Sequence, residues 1–167
     1  MIIAIRLLHV VGGIFWIGVI LFNAVFLGPA VREAGPEGGK VMGILVRRGL
    51  TTIMPIVGLL TILAGIYLLY KASGGFKPEY MGSAPGVTYS IGGTCAIIAL
   101  AVGGAVLAPA LSRLTGMAQA MAQAAPADRE KMAGEMQALR IRAGMAGNII
   151  AMFAFVTAVC MAIGRYV

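Results

Sequence analysis

Four stretches of about twenty apolar residues or more constrain this chain more than any other feature. Residues 2–27, 50–70, 87–111 and 143–163 carry a single charged side chain between them, Arg6. A bilayer core about 30 Å thick is crossed by roughly 20 apolar residues in a helix. Charged residues make up only 11% of the 167, against roughly 25% in a water-soluble domain, so a surface facing water could not be covered. The expected fold is all-α: an integral membrane four-helix bundle, one domain over residues 1–167. The first stretch is longer than the 7–15 apolar residues of a signal peptide, and it is expected to be a retained membrane helix.

The chain carries a net charge of +7, and apart from Arg6 and Arg165 its charged residues lie between the spans. Segment 32–48 holds Arg32, Lys40, Arg47 and Arg48, and segment 112–142 holds Arg113, Arg129, Lys131, Arg140 and Arg142. The opposite side has Arg6, Lys71, Lys77 and Arg165. The positive-inside rule places the nine in the cytoplasm and both termini outside it, as in a bacterial inner membrane. No basic run is interleaved with aromatic residues, so nucleic acid is not an expected partner. The lipid bilayer is, and the chain could act as a homo-oligomer or within a larger membrane complex.

Between spans, Gly35-Pro36-Glu37-Gly38-Gly39 reads as a turn in the first inner loop. Residues 112–142 read as a cytoplasmic helical hairpin extending the third and fourth spans, with a turn at Ala125-Pro126-Ala127-Asp128. Reflection about that turn sets Met117 opposite Met136 and Met121 opposite Met132. These thioethers could form an apolar seam or a soft Cu(I) site. On the outer side Tyr67, Tyr70, Phe76, Tyr80, Tyr89 and Tyr166 form a belt. Cys95 and Cys160 lie in separate spans and make no metal motif.

The two halves echo each other. Gly12-Gly13 recurs as Gly92-Gly93, and Leu27-Gly28-Pro29-Ala30-Val31 as Leu107-Ala108-Pro109-Ala110-Leu111, at one offset of 80 residues. The offset suggests two helical hairpins repeated about an axis along the membrane normal. Small residues four apart, Ala99/Gly103, Ala143/Gly147/Ala151 and Ala154/Ala158/Ala162, predict close helix contact.

One face of the first span collects the chain's only His and only Trp. Arg6, His9, Gly13, Trp16 and Asn23 follow one another at roughly helical spacing. His9 could ligate haem iron or copper. Gly13 with its neighbour Gly12 would let a flat ring or another helix approach, and Arg6 could pair with a haem propionate. The alternative is a histidine hydrogen-bonded within the bundle. The 80-residue offset pairs His9 with Tyr89, a candidate acceptor or weak ligand, and Met161 is another candidate ligand. Every acidic residue lies between the spans, so no buried carboxylate, nucleophile triad or nucleotide-binding glycine loop is present. Nothing in the residues points to an enzyme.

Leu8-His9, then Trp16-Ile17-Gly18 and Leu27-Gly28-Pro29, resemble the opening helix of the copper-resistance D (CopD-like) membrane proteins. Leu60-Thr61-Ile62-Leu63-Ala64-Gly65-Ile66-Tyr67-Leu68 and Arg140-Ile141-Arg142 are similar to that group as well. Small uncharacterised membrane proteins and the haem-containing oxidases of the HemJ type are related. The resemblance implies a four-helix unit that handles copper or holds a b-type haem, with His9 as ligand. Three functions follow as expectations: a haem b redox or electron-transfer subunit, a copper transport or resistance protein, or a cofactor-free structural subunit.

The charge asymmetry is directly testable. A reporter active only outside the cytoplasm, fused after Val167, is expected to be active. A reporter active only in the cytoplasm that works at that position would reverse the orientation.

Overall fold

A computed structural model describes the backbone of residues 1–121 and 123–167, and all their side chains but that of residue 127. Among the described residues every regular element is a helix. The first span is α1 (Ile2–Phe22), a π-helical turn (Asn23–Leu27) and α2 (Gly28–Glu33) in one continuous run. Helix α3 (Gly35–Arg47) leads to the second span, α4 (Leu50–Ala72). A short α5 (Pro78–Met81) precedes the third span: α6 (Ala84–Val102), a second π turn (Gly103–Leu107) and α7 (Ala108–Met121). The 38-residue α8 (Pro126–Ile163) contains the fourth span. Four of these runs are long and apolar enough to cross a membrane.

The spans form a ring: α1 packs on α4 and α8, and α6 packs on α4 and α8, while α1 and α6 lie diagonally. Side chains such as Ile3, Ile14, Phe26 and Met145 point outward from the spans, each more than 60% exposed. An apolar girdle on this scale has no stable place in water and is satisfied by lipid. The core is correspondingly lean. Trp16, Ile62, Ala96, Ala99 and Ile150 form its centre, and no large side chain is completely buried. With lipid outside there is little hydrophobic gain from bringing helices together, so close backbone approach supplies the packing. Ala99, Ala143 and Ala154 are buried in the seams as their spacing implies. Ala162 is exposed, so the third small-residue row turns out of the seam at its end.

The two π turns are a physical consequence of proline. Pro29 and Pro109 lack an N–H, and in a regular helix each ring would press on the carbonyl four residues earlier. In each case the preceding residue bonds five residues back instead: Gly28 N–H to Asn23 O, and Ala108 N–H to Gly103 O. One extra residue in the turn makes room for the ring. The turns begin at Asn23 and Gly103, again 80 residues apart. The repeat read from short sequence echoes thus extends to an uncommon backbone feature.

The loops differ from the sequence reading in two places. Only Ala34 separates α2 from α3, and Gly35, at φ +57°, is already the first residue of α3. Pro36 to Gly39 lie in α3 rather than in a loop, with Pro36 at a first-turn position where its missing N–H costs nothing. Gly38 is buried against the backbone of Val31, so the corner between α2 and α3 has no room for a side chain there. In segment 112–142 the turn lies at Gln123 and Ala124, and Pro126 already begins α8. Residue 122, within the helix expected over 114–125, lies outside the described residues. Arms α7 and α8 run antiparallel, and Met117 and Glu135 line one open depression. Met136 is buried, and Met117, Met121 and Met132 are half-buried.

This register yields a test of the hairpin. With Cys95 and Cys160 replaced by serine, cysteines at positions 117 and 136 are expected to crosslink readily under mild oxidation. Efficient crosslinking of position 117 only to residues near 150 would refute the pairing.

Candidate functional site

The site is a seam between the first two spans. His9 Nδ1 lies 2.8 Å from the main-chain oxygen of Thr61. A carbonyl only accepts, so Nδ1 carries the proton and donates it, and in the neutral ring Nε2 keeps its lone pair. The imidazole reaches the α4 backbone because Gly65 lies beneath it: a methyl at Gly65 would sit 2.7 Å from His9 Cε1. One turn further in, a methyl at Gly12 would meet Thr61 Oγ1 at 2.5 Å. Another turn on, Trp16 seats on Gly58, where a methyl would be 2.6 Å from Cε2. Gly12, not Gly13, is the point of tightest approach; a methyl at Gly13 would meet Thr61 Cγ2 at an ordinary 3.7 Å.

Thr61 is the least satisfied group in the seam. The hydroxyls of Thr88, Thr115 and Thr157 each donate to the carbonyl four residues earlier. Thr61 Oγ1 is buried and has no hydrogen-bond partner. A buried hydroxyl left this way costs about 1–3 kcal/mol, and it faces the same seam as the imidazole.

Of the remaining sequence candidates, Arg6 is exposed and forms no ion pair among the described residues. Asn23 spends its amide on the Val19 carbonyl at 2.7 Å, at the mouth of the first π turn. Tyr89 and Met161 belong to the other hairpin. A methyl at Gly164 would lie 2.5 Å from Tyr89 Cε1, and one at Gly92 would meet Cys160 Cβ at 2.8 Å and Met161 Cε at 3.1 Å. Neither is among the hydrogen-bond partners of His9. The pseudo-equivalent rings therefore do equivalent work: His9 closes on Gly65 of the second span, Tyr89 on Gly164 of the fourth. The second hairpin adds a buried bond from Thr157 Oγ1 to the Gly92 carbonyl, 3.0 Å long.

Sequence reasoning missed Gly58, Thr61 and Gly65 as site residues. Their signal was available, since small residues at steps of three and four mark one face of the second span. Among the described residues no three or more His, Cys, Asp or Glu side chains gather to hold a metal ion. Any site here is built on one imidazole.

Fold and seam together define an integral membrane four-helix protein with paired ring-on-glycine hairpins. No protein-family model, curated protein or solved structure matches the chain.

The glycines give a graded prediction. Gly65→Ala and Gly164→Ala are each expected to lower stability by about 1–3 kcal/mol through overpacking. A methyl at Gly144 meets nothing within 4 Å, so Gly144→Ala is expected to be neutral or to stabilise by about 0.5–1 kcal/mol. Thermal unfolding in detergent checks all three, and equal effects would mean the rings do not seat as described.

Proposed function

We infer that this chain is a membrane subunit that holds haem b through His9 and serves electron transfer. The observation that supports this is the His9–Thr61 hydrogen bond. An imidazole that donates one ring nitrogen to a backbone carbonyl has its tautomer and orientation set and its other nitrogen made more basic, the arrangement common to metal-ligating histidines. Arg6, three residues away on the same helix face, would pair with a propionate. Thr61 Oγ1, buried and unpartnered, would offer a hydrogen bond beside the ring. Haem iron, when bound, supplies a one-electron couple. Gly12 and Gly65 keep the two helices close enough for Thr61 to reach His9, and the apolar girdle excludes water. The nine-to-four basic asymmetry favours a bacterial inner membrane with both termini outside the cytoplasm, which would put His9 in the outer leaflet.

A second reading has its own support. Tyr89 makes the same ring-on-glycine contact on Gly164 with no ligating nitrogen at all. On this reading His9 is a packing element, and the chain is a cofactor-free subunit of a membrane complex.

An absorption spectrum of protein purified from haem-replete cells separates the readings. A Soret band that His9→Ala abolishes, while the variant still inserts, is the expected result. A band that survives His9→Ala unchanged would refute His9 as ligand. No band in either protein would favour the packing role, and bound copper without a band would replace haem by copper.

A further inference from the structure

We propose that the basic end of the bundle is a binding surface for anionic phospholipid headgroups, carried by a collar of arginines that includes Arg47, Arg113 and Arg140. Where the helices leave the membrane at this end, the charged collar is Arg32, Arg47, Arg48, Arg113, Arg140 and Arg142, all exposed. Lysine is absent from it. Lys40 is paired with Glu37 at 2.6 Å, and Lys131 lies out along the hairpin. Topology alone asks only for positive charge. Phosphate oxygens are better matched by the planar guanidinium fork than by an ammonium.

Three elements carry the arginines of this collar. Helix α3 meets α7 at Gly43, where a methyl would lie 3.4 Å from Arg47 Nη1 and 3.7 Å from Thr115 Cγ2. On the other side of α7 from Thr115, Arg113 lines the depression between α7 and α8 with Leu139. Arg140, the residue after Leu139, is exposed further round α8. The depression is open, about 610 Å³, with an apolar floor of Gly116, Met117 and Ala138. Its one acid, Glu135, lies about a turn further from the membrane than Leu139; near the collar are also Glu33, beside Arg32, and Glu37, which is paired with Lys40.

Helix α3 also sits as an interfacial helix would. Gly38 and Gly43 face the protein, and Val41 and Ile44 are 48% and 46% exposed on another side. Apolar side chains beside an arginine collar fit the boundary between headgroups and acyl chains. Anionic headgroups stabilise each nearby basic residue by about 1 kcal/mol.

Native mass spectrometry of protein released from mixed phosphatidylglycerol and phosphatidylcholine tests the proposal. Wild type is expected to retain phosphatidylglycerol with roughly a hundred-fold preference, the equivalent of three such charges. Arg47→Gln/Arg113→Gln/Arg140→Gln is expected to bring the two lipids near parity. Lys71→Gln/Lys77→Gln on the other face is expected to keep the preference. Should the glutamine triple fail to insert, the lysine triple at the same positions is read instead. It keeps every charge, and its preference is expected to fall several-fold because an ammonium cannot form the fork. No preference in wild type overturns the proposal. So does a preference unchanged in either triple variant, one lost equally in the outer-face variant, or one abolished by millimolar inorganic phosphate.

Discussion

Helices in a bilayer gain little from hiding apolar side chains, so their association depends on how closely backbones can approach. In this protein that approach is set by rings lying on glycines. His9 on Gly65, Trp16 on Gly58 and Tyr89 on Gly164 each place a flat side chain where a methyl group would be in collision. The contact fixes depth and rotation at once, because a ring can come this close to a backbone only at the position where the Cβ is missing. The His9–Thr61 bond follows from this geometry. Without bare backbone at Gly65 the imidazole could not reach a carbonyl on the neighbouring helix. The buried, unpartnered Thr61 hydroxyl is the cost of bringing Gly12 so near.

Much of the architecture was legible in the sequence because bilayer thickness is so blunt a constraint. The four spans need only length and low charge, and both are visible by inspection. The seam was legible on one side only. His9 and Trp16 stand out as rare residues in an apolar helix, but their partners are ordinary glycines and a threonine. Which of many small residues lies under a given ring is a long-range fact. Local composition also misled at α3, where Gly35-Pro36-Glu37-Gly38-Gly39 reads as a loop. Packing of Gly38 on Val31 and of Gly43 near Thr115 overrides the weak helix propensity of that stretch. The hydropathy profile gave no sign of the π turns; Pro29 and Pro109 at matching positions were their only trace.

The repeat makes the two hairpins comparable residue by residue. Where the first presents His9, the second presents Tyr89; Thr61 corresponds to Cys160 across the glycine pair Gly12 and Gly92. The backbone geometry is shared while the chemistry differs. In the first seam a polar ring is answered by a carbonyl and a hydroxyl is left over. In the second, the single Thr157 O–H is shared between the carbonyls of Phe153 and Gly92, and it is satisfied. The asymmetry concentrates unspent hydrogen-bonding capacity in the first hairpin, at the end of the bundle that carries the chain's N-terminus.

The π turns act as phase steps. An α-helix rotates about 100° per residue, and one extra residue in a turn shifts everything beyond it by that angle. In the first and third spans, the side chains before the turn follow one azimuth and those after it another. The halves before the turns are therefore free to be phased for ring-on-glycine seams, while the halves after them, with Arg32 and Arg113, are phased for the membrane edge. A single residue removed from either turn would press the proline ring on the carbonyl four residues earlier and rotate one end of the span against its neighbours. Each span is in effect two short helices with separately chosen faces, joined without a break in the chain's path through the bilayer.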